Sequence, residues 1–143
     1  MKGYWNLPEE TARALRPGRH FGDEVLYTGD IFKKDKEGYL YFLGRKDSII
    51  KTAGYLVSPK EVENVLCEKD DVIEAAVIGV YDEILGNAIK AFVHLSDNSE
   101  TTEEDLIIFC SERLEDHSVP KYIKLCRELP KTLTGKVQKR DLQ

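Results

Sequence analysis

The sequence predicts an α+β fold, in which a small layer of helices packs on a short three-stranded sheet behind a β-hairpin segment. Three observations lead there. Ser58-Pro59 with Glu61 opens a helix; Ile73–Val80 and Ala88–Leu95 read as strands, followed by a second helix and a last strand. Ahead of them, Tyr39-Leu40-Tyr41-Phe42-Leu43 is an aromatic strand behind a polar, glycine-terminated turn.

In chain order, Gly3–Asn6 and Pro8–Thr11 suggest a turn and a short helix, and Arg16-Pro17-Gly18-Arg19 reads as loop. Val25–Thr28 is a strand ended by Gly29 and Asp30. Ile31–Lys33 and Tyr39–Leu43 form the hairpin across Lys34–Gly38. Gly44–Ser58 is rich in glycine and short polar residues around Ile49-Ile50. Ser58 and Glu61 have the spacing of a capping box, with Pro59 where its missing N–H costs nothing, and Val62, Val65 and Leu66 supply the apolar stripe. The unbroken run Ile73–Val80 implies a strand buried on both faces, Tyr81–Asn87 a loop, and Ala88–Leu95 the next strand. Thr101 with Glu104 predicts a second capping box, opening a helix through Leu106, Phe109, Cys110 and Leu114. Tyr122–Cys126 is the last strand, before a basic tail from Pro130.

Composition narrows the function classes. The 143 residues, 41% hydrophobic and 33% charged, support a packed core in one domain, or a small domain with an added segment. A net charge of −5 argues against a nucleic-acid partner held by phosphate neutralisation. Cys67, Cys110 and Cys126 have neither zinc spacing nor the look of a disulfide framework, which implies plain thiols in a reducing compartment. His20, His94 and His117 are scattered and receive no chemical role. With no signal-peptide pattern and no apolar run of membrane-spanning length, the expected location is cytoplasmic.

Three blocks stand apart from ordinary patterning. They are Tyr27-Thr28-Gly29-Asp30; Gly44-Arg45-Lys46-Asp47-Ser48-Ile49-Ile50-Lys51, continuing to Gly54-Tyr55 and Ser58–Glu63; and Leu129–Thr132 with Thr134-Gly135-Lys136 and Lys139-Arg140. Thr-Gly-Asp or Gly-Lys alone would be a turn and a solvated loop lysine. In this order and at these separations the blocks resemble the adenylate-forming superfamily of acyl- and aryl-CoA ligases, luciferase-type enzymes and peptide-synthetase adenylation domains. The resemblance spans nearly the whole chain. It implies an ATP-dependent, AMP-forming acid–CoA ligase whose C-terminal part is this chain. Residues 1–46 would be the last strands of the large N-terminal adenylation domain, and 47–143 the mobile lid.

Under that resemblance, Asp30, following a glycine at a strand end, accepts hydrogen bonds from the ribose hydroxyls of ATP, and Arg45 shares the ribose or a phosphate. An ion pair of Arg45 with Asp30 or Asp47, without a ligand, is the plainer alternative. Asp47 falls at the hinge, where an aspartate tolerates a large dihedral change. Lys136, behind Gly135, would neutralise charge between the carboxylate and the α-phosphate during adenylation. For thioester formation the Lys51–Tyr55 loop would face the adenylate, with Lys51 stabilising it and Gly54, beside Tyr55, giving pantetheine room to pass. Leu56 departs from the pattern, since many relatives carry arginine or lysine there; this weakens the reading of the thiol acceptor.

The Gly-rich phosphate loop and the acid pocket of the superfamily have no counterpart in the sequence. The expectation is therefore a fragment, with a split or truncated gene as the alternative. Its expected partners are the N-terminal adenylation domain, a small carboxylic acid, ATP and CoA. Magnesium would arrive with ATP, held mainly by that other domain, and no metal site is expected here. The competing readings are an adenylation enzyme that loads a carrier-protein thiol, and a non-catalytic interaction module.

Overall fold

A computed structural model describes residues 1–142 and divides into two compact units, Met1–Asp47 and Ser48–Gln143. The α+β class, with a three-stranded sheet in the second unit and a hairpin in the first, is the one observed.

In the first unit, helix α1 (Pro8–Ala14) starts on Pro8, where the absent N–H would have had no partner, and carries Glu9 and Glu10 at its positive end. Arg16 and Pro17 lie in strand β1 (Leu15–Pro17), not in a loop; it pairs antiparallel with β2 (Glu24–Leu26). Proline is tolerated there because a short two-stranded ribbon leaves its outer edge unpaired. The Arg16 guanidinium sits 4.6 Å over the Tyr27 ring. The expected strand over Val25–Thr28 stops at Leu26, the Tyr27 N–H turning instead to the Ala14 carbonyl at 2.7 Å.

Strands β3 (Asp30–Lys34) and β4 (Leu40–Arg45) form the aromatic hairpin. Asp35 closes its turn, accepting from the Glu37 and Tyr39 amides at 3.0 and 2.9 Å and from the Tyr41 hydroxyl at 2.9 Å. Phe32 and Phe42 meet edge to face, yet both remain about half exposed. Within Met1–Asp47 the one buried residue is Gly44.

The second unit has a core. A hairpin of β5 (Ile50–Thr52) and β6 (Tyr55–Val57) leads into helix α2 (Pro59–Leu66), where only a loop was expected. Ser58 is the N-cap residue of α2, but its side chain makes no capping bond to the first turn, so the expected box is not formed. Strands β7 (Val72–Asp82) and β8 (Gly86–Leu95) are longer than expected and consume most of the loop between them. Helix α3 (Glu103–Ser111) and β9 (Tyr122–Cys126) complete the layer, in sheet order β7-β8-β9. β8 and β9 are parallel, which requires the α3 crossover.

The α3 capping box lies one residue beyond the expected Thr101/Glu104 pair. Thr102 accepts from the Asp105 amide and Asp105 accepts from the Thr102 amide. Thr101 is engaged elsewhere: its hydroxyl and that of Ser99 both donate to the Asp71 carboxylate.

Both faces of β7 and β8 are covered midway along, as the continuous apolar run implied. Val77, Ala91 and Val93 face Val62, Leu66, Leu106 and Cys110, whereas Ala76 and Phe92 face Leu129 and Leu142. The ends of β7 escape this cover, leaving Ile73 and Tyr81 exposed.

The Ser99 and then the Thr101 hydroxyl hold the Asp71 carboxyl at about 2, below its ordinary 3.8. A depressed carboxylate stabilises the fold above its unfolded pKa, and the benefit fades as pH falls from about 4 through about 2; it is worth at most about 2 kcal/mol. Acid unfolding of wild type and Asp71→Asn should therefore converge across that window. Parallel curves from pH 5 downward would refute the assignment.

Candidate functional site

The residues singled out by sequence fall into three groups, one in the first unit and two in the second. In the first, Asp30 and Arg45 are cross-strand partners at the open end of the β3–β4 hairpin, so pairing alone brings carboxylate and guanidinium together. Arg45 Nη1 lies 3.7 Å from Asp30 Oδ1 and donates to the Thr28 carbonyl at 2.9 Å; Nε donates to Asp47 Oδ1 at 3.2 Å. The hydrogen bond and charge of Asp47, helped by Asp30, push the guanidinium further toward its protonated form, and Arg45 in turn lowers the Asp47 carboxyl. Arg45 is thus engaged by both aspartates, the plainer arrangement open at the outset. Nη2 also donates to Asp47 Oδ2 at 3.5 Å and lies near Gly29, on the side where Tyr4, Leu7, Tyr27 and Thr28 line a shallow depression. Asp47 is the last residue of the first unit.

The second group is the tip of the β5–β6 hairpin. Thr52 pairs with Tyr55 across Ala53 and Gly54, at φ 47° and 87°. Two consecutive left-handed residues make the tight turn whose twist suits a hairpin, and Ala53 is strained there because it carries a Cβ. A Cβ on Gly54 would meet nothing within 4 Å, so the backbone conformation demands glycine and the space over it stays open. Lys51 and Tyr55 are exposed, and Leu56 is 68% exposed.

Sequence reasoning missed what carries this tip. The Ala53 amide donates to the Leu85 carbonyl at 2.9 Å, and Asn87 Nδ2 donates to the Lys51 carbonyl at 3.0 Å. Buried Asp82 shapes the turn that supplies these groups, accepting from the Ile84 and Leu85 amides and from Lys121 Nζ. That last bond lowers the Asp82 carboxyl and raises the Lys121 ammonium. The His117 ring stacks on Tyr55 at 4.1 Å with planes 13° apart. Asp82 before a two-residue gap to Leu85 was a legible turn signal; the His117 stack had none.

The third group is the turn from Pro130 to Gln138. Lys131 and Val137 bridge antiparallel, the Thr132 amide donates to the Lys136 carbonyl at 2.8 Å, and the Gln138 amide donates to the Pro130 carbonyl at 2.7 Å. Gly135, at φ 79°, makes the reversal. The Lys136 side chain is exposed and has no ion pair among the described residues, whereas its amide is held by Thr132 Oγ1 at 3.2 Å. A fixed backbone thus presents an unneutralised ammonium.

The profile of the AMP-binding enzyme C-terminal domain matches residues 61–136. The chain belongs to that family. Among its relatives, a long-chain-fatty-acid–CoA ligase of Bacillus subtilis (strain 168) is 44% identical over 142 residues, covering 99% of this chain and 24% of that protein. A crotonobetaine/carnitine–CoA ligase of Salmonella arizonae is 37% identical over 143 residues, 100% of this chain and 27% of that protein. Among solved structures, ATP-bound MatB from Rhodopseudomonas palustris superposes with a TM-score of 0.86 at 33% identity, over 99% of this chain and 27% of that one. The chain therefore spans about a quarter of the length of the family members it matches.

Proposed function

We propose that this chain is the C-terminal part of an ATP-dependent acid–CoA ligase that forms an acyl-adenylate and then a thioester. Residues 1–46 would close a large adenylation domain and 47–143 would be its mobile lid. The carrying observation is the contrast between the units: the second is packed, whereas the first exposes its aromatic faces and buries no side chain. Such a piece needs a larger body to cover it.

In the first half-reaction, a carboxylic acid attacks ATP at the α-phosphate, and acyl-adenylate and pyrophosphate result. Asp30 accepts from the ribose hydroxyls; Arg45, drawn to Asp30, adds a donor toward ribose or phosphate. Lys136 reaches the charge growing between carboxylate and α-phosphate. Asp47, at the junction of the units, then absorbs the dihedral change that exchanges one lid face for the other. In the second half-reaction the CoA sulfur attacks the acyl carbon and AMP leaves. The open space over Gly54 admits the pantetheine arm beside Tyr55, and Lys51 faces the adenylate.

Magnesium would come bound to ATP. Among the described residues no group of three or more His, Cys, Asp or Glu could hold a metal ion. No helix is long and apolar enough to cross a membrane. A cytoplasmic setting would keep the three free thiols reduced. Leu56 favours a second reading of the acceptor alone: an exposed apolar side chain beside the thiol path can touch a carrier protein but not a phosphate.

The full-length protein is expected to catalyse acid-dependent ATP–pyrophosphate exchange and CoA-dependent thioester formation, and the 143-residue chain neither. Robust exchange by the chain alone, or none by the full-length protein with a broad panel of acids, would overturn the proposal.

A further inference from the structure

The turn that carries Lys136 is anchored by charge on both flanks. Upstream, Lys131 Nζ lies 3.0 Å from Glu74 Oε2 on β7, an ion pair without hydrogen-bond geometry. Downstream, Lys139 Nζ donates to Glu63 Oε1 on α2. The two glutamates differ in how firmly they are held. The Glu63 side chain is only 10% exposed, and the same oxygen accepts the Val77 amide at 3.0 Å. β7 is an edge of the sheet, so this carboxylate covers an N–H that faces away from β8. A carboxylate buried to this degree needs a cation beside it, and Lys139 supplies one.

Apolar packing fixes the ends of the segment less selectively. Leu129 and Leu142 are buried beside Ala76 and Phe92, with Val137 partly buried against them. Apolar burial of this kind is non-directional, whereas the Lys139–Glu63 bond ties the segment to one buried carboxylate oxygen. Lys139 stands three residues after Lys136, separated by Val137 and by Gln138, whose amide closes the turn onto Pro130.

We infer that Glu63 and Lys139 are positioning residues for Lys136. Glu63, fixed on α2 and locked by the Val77 amide, draws Lys139 inward and so sets the register in which the turn presents the Lys136 ammonium. This rests on the proposed adenylating role of Lys136, and the test separates the two ideas. A lysine free to swing on a loose turn would spend little time in range of the reacting charge, and misplacement by about 1 Å costs up to about a hundredfold in rate.

The kinetic test uses Lys139→Met, Lys139→Arg and Lys136→Ala in the full-length protein. For Lys139→Met, kcat of pyrophosphate exchange should fall by about ten- to a hundredfold, while thioester formation from supplied acyl-adenylate changes by less than about threefold. Lys139→Arg should restore most of the loss. Equal loss in both half-reactions would mark a merely structural tie and overturn the inference, as would full exchange activity in Lys139→Met.

The 143-residue chain gives an independent readout. Amide exchange across 132–136 should be faster in Lys139→Met than in Lys139→Arg. Should Lys139→Met not fold, Glu63→Gln replaces it: the amide oxygen can still accept from Val77 while the charge is gone, and the turn should loosen. Unchanged turn exchange in these variants overturns the inference. If Lys136→Ala leaves pyrophosphate exchange intact, the role of Lys136 fails, and the turn amides alone then decide whether Glu63 and Lys139 set its position.

Discussion

Replacing Lys136 with alanine in the full-length protein is expected to slow acyl-adenylate formation by about a hundred- to a thousandfold, or about 2.7–4 kcal/mol of transition-state stabilisation. The magnitude follows from the proposed role, in which the ammonium meets charge developing in a water-poor site. Its selectivity follows from the turn. Lys136 contributes its carbonyl to the Thr132 amide and its own amide to Thr132 Oγ1, both backbone groups that alanine keeps. Its side chain is exposed and unpaired among the described residues, so stability should move by no more than about 0.5 kcal/mol. Conversion of supplied acyl-adenylate to thioester should persist, because in the proposed mechanism that step uses the Lys51–Tyr55 tip and not Lys136. Rapid-quench measurement of the two half-reactions separates them, and equal loss of both would contradict a lid with two working faces.

The layout of the second unit was legible because its strands and helices repeat at periods that local chemistry enforces. Tyr122–Cys126 is a strand with the expected bounds, and the run through Val77 is covered on both faces. What was not legible depended on partners distant in sequence. The β5–β6 hairpin turns on Ala53-Gly54, a dipeptide without the asparagine or aspartate that advertises such a turn, and Leu85 and Asn87 hold it from more than thirty residues away. Thr101 and Thr102 are equally good caps on paper; Asp71 recruits the first and so leaves the helix to the second. The proximity of Asp30 and Arg45 was expected from their proposed ligand, but strand register already provides it. Glu63 stood inside a recognisable block, yet its reach to Lys139 spans 76 positions, which no local pattern encodes.

Truncation of Leu106 to alanine in the 143-residue chain should cost about 2–5 kcal/mol, among the largest losses a single side chain here can cause. Leu106 is fully buried, in one core cluster with Leu66 of α2 and Val77 of β7. Phe42→Ala should behave differently. The ring is 52% exposed and meets Phe32 edge to face, so its loss from the same chain should cost about 1 kcal/mol or less. In the full-length protein the order of the two should narrow sharply. If the aromatic face of β3 and β4 is covered by the rest of an adenylation domain, Phe42 becomes a core residue there, and its truncation should approach the about 3–5 kcal/mol of a buried phenylalanine. Urea unfolding of both variants in both contexts measures this directly. A Phe42→Ala cost that stays equally small in the full-length protein would mean that nothing covers the hairpin, and would remove the main physical support for reading residues 1–46 as the end of a larger domain.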